Sequence, residues 1–321
     1  MRSMLRKIPL LRMLYRKYLR AYLEAEGYFA LLVLKFRKRR LADPSSKLVV
    51  SLTTYNARLS KLGIVLDSIL CQDIDRDYAV SVHLSSEDLQ DGVLPLELTH
   101  YKNFGVQFFI HSENFRSYKK LVYEYDPESE EKIIVTADDD VIYPKYWLRK
   151  LWSTHLQHPR CVVAYRAHFL TFDSEGNFIP YTDMMRVRGN PGDRLTPRHD
   201  LMPTGVSGVL YPTRSLHPAC LDSALYLAYA PTADDIWFKA SALLNNTLCV
   251  QVERSNRHFA FIPQSQETAL HEQNIQGSRN DVQLRETFNL FPDALQHLKI
   301  SSQQHLGASG KIQGKDSCDL N

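Results

Sequence analysis

The amino-acid sequence predicts an α/β protein: a three-layer sandwich with a mainly parallel central sheet, preceded by an amphipathic helical segment. Three observations carry this expectation. Short β-branched runs (KLVVSL at 47–52, KIIVT at 132–136) stop abruptly at polar residues. Segments with helical spacing separate the strand candidates, as parallel pairing requires. The first forty residues differ in charge from everything after them.

Residues 1–40 hold twelve Lys and Arg against Glu24 and Glu26, a net +10, whereas the other 281 residues carry −7. Leu11, Leu14, Tyr15, Tyr18 and Tyr22 share one helical stripe, and Arg12, Arg16 and Arg20 follow another. Gly27 is expected to interrupt this helix, leaving YFALLVLKF (28–36) too short to span a bilayer, followed by the basic cluster KFRKRR. An apolar side beside a cationic side suits an anionic lipid surface, so peripheral membrane contact through residues 1–40 is expected. The competing expectation is a helical hairpin packed on the main domain with its arginines solvated. A secretory signal is disfavoured because charge recurs throughout and no small-residue cleavage site follows an apolar core. Nucleic acid is not expected as a partner, since the acidic remainder offers no supporting basic surface.

Residues 1–46 are thus read as the basic helical segment with its linker (ADPSSK), 47–290 as the main domain and 291–321 as a polar tail. Within the main domain, 47–140 forms one half and 141–290 the other. Strand 47–52 leads into the polar TTYN. The spacing of Leu59, Leu62, Leu66 and Ile69 predicts a helix over 59–70. Strands are expected at 78–84 and 106–110, a helix at 117–125, the buried strand at 132–136 and a helix at 146–155. Further on come a turn at 173–177, a loop-rich stretch at 186–203, a strand at 205–211, and a helix at 232–244 with Thr232 as its N-cap. TTYN and ADDD are expected along one edge of the sheet, where α/β proteins bind ligands.

Composition excludes several classes. At 44% hydrophobic and 23% charged the chain can bury a large core, and it has no uninterrupted apolar run of spanning length. Five scattered cysteines without C-x-x-C spacing suit neither a zinc site nor a disulfide framework, and a cytoplasmic location is expected.

The most chemical segment is KIIVTADDDVIYP (132–144). If strand alternation continues, Asp138 and Asp140 share one side and Asp139 takes the other. Two converging carboxylates need a cation between them, and oxygen donors favour Mg2+ or Mn2+. The plainer alternative is an acidic turn capping the next helix. The second acidic pair, Asp234-Asp235 in PTADDIWF, stands at a helix start, where acids complement the dipole; its aromatic neighbours also suit a carboxylate base beside a sugar.

SLTTYNAR (51–58), SYKK (117–120), IIVTADDDVIYP (133–144), GVSGVLYP (205–212), PTADDIWF (231–238) and LHEQN (270–274) together resemble bacterial glycosyltransferases of the GT-A fold. More narrowly, the chain resembles the family-2-like enzymes that build capsule, lipopolysaccharide or other cell-surface glycans, over residues 47–285. The resemblance implies a metal-dependent transfer of a sugar from a nucleotide-diphosphate donor, a UDP-sugar favoured, to a glycan or lipid-linked glycan acceptor. It implies Thr53, Tyr55 and Arg58 in the nucleotide pocket and Lys119 or Lys120 on the nucleotide or its diphosphate. Asp138 and Asp140 become the D-x-D pair, Asp140 the direct ligand of Mn2+ or Mg2+ and Asp138 nearer the ribose or sugar, with His271 a late metal ligand. Asp235 becomes the base of an inverting displacement, and Gly205–Gly208 backbone beside the donor sugar. The enzyme is then expected on the inner face of the cell membrane.

Arg186, Arg188, Arg194 and Arg198 are open to two readings, a clamp for phosphates or an anionic acceptor, or a solvated loop face. Two alternative functions remain at this level. One is a non-catalytic nucleotide- or carbohydrate-binding domain of the same fold. The other is an aspartyl phosphotransferase, whose chemistry asks for Thr or Val where Ile142 stands and for a later G-D-x-x-x-D that is missing.

Overall fold

A computed structural model describes residues 9–129, 131–190, 192–265 and 279–301. Its strands are β1 (Leu48–Thr53), β2 (Ala79–Ser85), β3 (Val106–His111), β4 (Ile133–Ala137), β5 (Val141–Ile142), β6 (Val162–Ala164), β7 (Ala167–Phe169), β8 (Leu201–Pro203), β9 (Val209–Tyr211), β10 (Cys249–Gln251) and β11 (Ala260–Phe261). The helices are α1 (Pro9–Leu34), α2 (Leu62–Leu70), α3 (Leu96–Thr99), α4 (Lys119–Val122), α5 (Trp147–Gln157), α6 (Tyr181–Met184), α7 (Ser223–Tyr229), α8 (Asp234–Leu244) and α9 (Arg279–Leu290).

Seven strands form the central sheet in the order β10-β6-β9-β4-β1-β2-β3. β4, β1, β2 and β3 run parallel, as do β6 and β10, while β9 is antiparallel to both β4 and β6. The expected α/β sandwich with a mainly parallel sheet is borne out. Its two faces follow from alternation along each strand. Val50, Leu52, Val80, Val82, Leu84 and Val135 join a core with Leu62, Val65, Leu66 and Ile69 of α2 and Leu148 and Leu151 of α5. Ile134, Val162, Val209 and Tyr211 face the other way, into a core with Tyr118, Leu121, Trp237 and Phe238. The four α2 side chains are fully buried; at about 1.5–3 kcal/mol each they hold α2 across the sheet without any side-chain cap. Register sets Leu52 beside Ala137 and Thr53 beside His83. The ends of β1 and β4 are therefore neighbours, as the two polar strand ends required.

Several expectations change. Gly27 does not break the first helix: α1 is continuous, and Gly27 is its contact point, where a Cβ would come 2.5 Å from the Phe261 carbonyl oxygen. The basic cluster that follows is partly used up in anchoring. Arg37 donates to the Tyr143 carbonyl at 3.2 Å, Arg39 pairs with Asp67 at 2.8 Å, and Arg40 donates to the Ile74 carbonyl at 2.6 Å. Only one helical turn forms in 117–125, and 205–211 splits into a 3-10 turn at Gly205–Ser207 and the short β9. Thr232 is not the cap of α8; Ala233 holds that position, and the Thr232 N–H donates to Gln283 Oε1 at 2.9 Å. Residues 292–301, expected within the polar tail, are helical and bury Ala294 and Leu298 completely. No described helix is long and apolar enough to cross a membrane.

Candidate active site

The site lies on the strand-end edge between β1, β2 and β4, with the 205–208 turn and the start of α8 on its other side. β4 ends at Ala137, so strand alternation does not reach the aspartates. Asp138–Asp140 form a tight connection to β5, pinned by the Asp138 N–H donating to Tyr143 Oη at 2.8 Å and the Ile262 N–H donating to the Asp140 carbonyl at 2.8 Å. The expected pairing of Asp138 with Asp140 is corrected accordingly: Asp139 and Asp140 go together, and Asp138 goes elsewhere.

Arg58, in the 3-10 turn after β1, meets Asp139 at 2.6 Å and Asp140 at 3.0 Å. Thr54 adds a 2.6 Å hydrogen bond to Asp139, and the Arg58 guanidinium lies over the Tyr55 ring, 5.5 Å from its centroid. Burial opposes the arginine's charge, but Asp140 and Asp139 outweigh it and hold the guanidinium above its ordinary value. Asp139 is pushed up by burial against the pull of Arg58 and Thr54. Thr53 instead caps its neighbour strand, its hydroxyl donating to the His83 carbonyl at 2.7 Å.

Asp138 meets Lys120 of α4 at 3.0 Å, and the same ammonium lies 3.4 Å from Asp234. Burial works against the charge of Lys120; Asp138, Asp234 and Asp235 more than offset it and raise the lysine well above its ordinary value. Asp235 accepts the Gly205 N–H at 3.0 Å. A Cβ on Gly205 would stand 3.1 Å from Lys120 Nζ, 3.4 Å from Asp235 Oδ1 and 3.8 Å from Asp138 Oδ1, so this backbone lies directly against the three charged groups. Burial and the neighbouring Asp234 push Asp235 up to about 7, against Lys120 and the Gly205 N–H. The two acidic motifs, about a hundred residues apart in sequence, thus converge on one lysine.

Lys119 points the other way from Lys120. Its ammonium donates to Ser85 Oγ, at the end of β2, at 2.5 Å and lies 3.5 Å from Asp88, just beyond it. Burial lowers it, against Asp88. Ser85 and Asp88 were not among the sequence-predicted residues; the signal available was a second polar strand end (SSED) on the same edge. His271 lies outside the described residues. Of the four loop arginines, Arg194 and Arg198 are neither clamp nor solvated face. Arg194 is buried and donates to the Ala167 carbonyl at 2.8 Å, and Arg198 forms a two-pronged pair with Asp200 at 2.7 Å. Arg186 is exposed and paired with Asp183 at 2.6 Å.

A divalent cation is tested by this donor set. Among the described residues no three His, Cys, Asp or Glu side chains gather as a metal cage. The carboxylates have the right chemistry for Mg2+ or Mn2+: Asp138 keeps 24% of its side chain open to the cleft. Asp140, at 10%, is engaged by Arg58 and would join only by exchanging that partner.

No protein-family model matches the sequence, and no curated protein matches it. Solved structures with similar architecture include S. aureus TarS 1–349 in complex with UDP (16% identity, TM-score 0.42), over 67% of this chain and 59% of that one. The longer TarS structure is matched over only 36% of its length. Mannosyltransferase PcManGT from Pyrobaculum calidifontis, in complex with GDP-Man and Mn2+, is similar over 93% of this chain and 92% of that one (15% identity, TM-score 0.44). At TM-scores below 0.5 these likenesses add nothing to what topology and side chains establish.

Proposed function

We propose that the chain is a nucleotide-sugar-dependent glycosyltransferase that inverts the anomeric centre, with Asp235 as its base and a cell-surface or lipid-linked glycan as acceptor. The observation that carries this is the state of Asp235: a carboxylate raised to about 7, held by the Gly205 N–H and separated from Asp138 only by Lys120. A base is most effective when it titrates near the working pH. In the reaction Asp235 takes the proton of the acceptor hydroxyl as its oxygen bonds to the sugar's anomeric carbon. The bond from that carbon to the donor phosphate breaks on the opposite face, and the nucleoside diphosphate leaves. Lys120 supplies positive charge between the two acids, and Thr54, Arg58, Lys119 and Asp88 line the β1–β2 side where the nucleotide, a UDP-sugar favoured, would rest. Mn2+ or Mg2+ held by Asp138, with Asp140 joining only if it exchanged Arg58 for the ion, would neutralise the departing phosphates. Turnover of a panel of nucleotide sugars, assayed with Mn2+ and with EDTA, tests the reading. Donor-specific release of nucleoside diphosphate that EDTA abolishes is expected; binding without any turnover would leave only a carbohydrate- or nucleotide-binding domain.

The membrane contact is proposed on the outer side of α1. Opposite Gly27 and Leu34, which face the domain, Tyr18, Tyr22, Phe29, Leu32 and Phe36 share a solvent-facing stripe with exposures from 54% to 84%. A +10 segment does not favour self-association through that stripe, whereas anionic lipid on the inner leaflet complements it. Phe29→Ser/Phe36→Ser is expected to lose most sedimentation with phosphatidylserine vesicles while unfolding at the wild-type temperature. Unchanged sedimentation would refute the contact.

A further inference from the structure

Arg166 forms no ion pair among the described residues. It follows β6, where the chain turns from the central sheet into β7. Its Nε is sealed from solvent with no acceptor. A cation in that position is costly unless something completes it. Arg194 and Arg198, by contrast, are engaged by the Ala167 carbonyl and by Asp200.

Its surroundings define what would complete it. Thr204 donates its backbone N–H to the Arg166 carbonyl at 2.9 Å, and the next residue, Gly205, donates to Asp235. Arg166 and Asp235 are therefore tied to two consecutive residues. The Thr204 hydroxyl is itself buried (6% exposed) and has no partner. Asp235 and Tyr181 are near enough to favour the arginine's charge, which burial opposes. His168 and His258, close by, are pushed down to about 3 and about 4 by burial and by Arg166, so at neutral pH they carry no charge. These groups are thus a half-buried guanidinium with a sealed Nε, an unpartnered hydroxyl and neutral rings beside a carboxylate.

We propose that Arg166 and Thr204 form an anion subsite next to Asp235 that takes a phosphate or carboxylate group carried by the acceptor. Two sources of such a group exist, the acceptor and the donor's own diphosphate. Sheet order favours the acceptor. Thr54, Arg58, Lys119 and Asp88 belong to the β1 and β2 side of β4, whereas Arg166 leaves β6, which lies beyond β9 on the opposite side. The inference goes beyond the proposed reaction, because it specifies that the acceptor is anionic.

The test uses the full chain and inorganic phosphate as probe, first alone and then with saturating UDP and Mn2+. Phosphate is expected to stabilise the wild type in both conditions and to bind Arg166→Gln roughly ten- to a hundredfold more weakly, with Arg166→Lys in between. UDP affinity is expected to stay within about twofold of wild type. Thr204→Val, which removes only the hydroxyl, provides the same comparison should Arg166→Gln not fold. Equal phosphate response in wild type and variants overturns the subsite. Phosphate that competes with UDP, together with weakened UDP binding in Arg166→Gln, assigns the arginine to the donor and overturns the acceptor role. Neither readout depends on sugar transfer, so a failure of the glycosyltransferase reading would remain separately visible.

Discussion

Two clusters at the same strand edge use one recipe, consecutive aspartates around a single cation, and reach different ends. Arg58 faces two carboxylates through one nitrogen, Nη1, and Thr54 satisfies a further oxygen. Lys120 faces three, and the only additional donor recorded for Asp235 is one backbone N–H. The first cluster has one carboxylate more than its cation balances and acts as a clamp between β1 and the acidic turn. The second has two more, and burial together with the neighbouring Asp234 lifts Asp235 into the neutral range. The size of the acidic excess at a desolvated position separates the reactive group from the brace.

Removing the shared cation should have the largest effect. Lys120→Met leaves three carboxylates unopposed, Asp234 buried and Asp138 and Asp235 half-buried, and is expected to cost about 3–5 kcal/mol at pH 8, with part of the loss recovered at pH 5 as Asp235 protonates. Urea unfolding at both pH values checks this; an equal loss at both would place the lysine's role in packing. Next comes Asp235→Asn, expected to lower transfer by about 10²–10⁴-fold while nucleotide binding stays normal. In wild type the rate should climb with pH toward a plateau above about 7, and the variant should lack that limb. Stability gives an independent reading. Asp235 titrates from an ordinary 3.8 to about 7 on folding, so between those values the folded chain holds the extra proton and stability falls as pH rises. Asn should flatten that fall; a fall of unchanged slope would move the shift to another group. Smallest are changes in the braced cluster. Arg58→Lys, which keeps charge but loses the Nη2 hydrogen bond to the Ser265 carbonyl, should cost about 1.5–3 kcal/mol and Thr54→Val about 1 kcal/mol, read from thermal unfolding. If Arg58→Lys were as damaging as Lys120→Met, the contrast between clamp and reactive cluster would collapse.

How much was legible in the sequence follows from element length. β1, β2, β3 and β4 have five to seven residues, enough for an apolar run and a polar stop to register. β6 to β10 have three each, shorter than any period, and Arg166 sits among them with no motif around it. The acidic turn was found but mis-paired, because alternation was carried three residues past the end of β4. The convergence of Asp138 and Asp235 on Lys120 had no local signal, since it depends on β9 returning antiparallel beside β4. Gly27 was read for its helix propensity, which a tight backbone contact overrode.

That contact has a mechanical corollary. Gly27 rides on the carbonyl of Phe261, and the very next residue, Ile262, hands its amide hydrogen to Asp140. Helix α1 and the aspartate turn are thus two passengers on one dipeptide. Adding or deleting a residue there would displace both at once, so the angle at which the protein meets its surroundings and the alignment of its carboxylates are set by the same peptide unit.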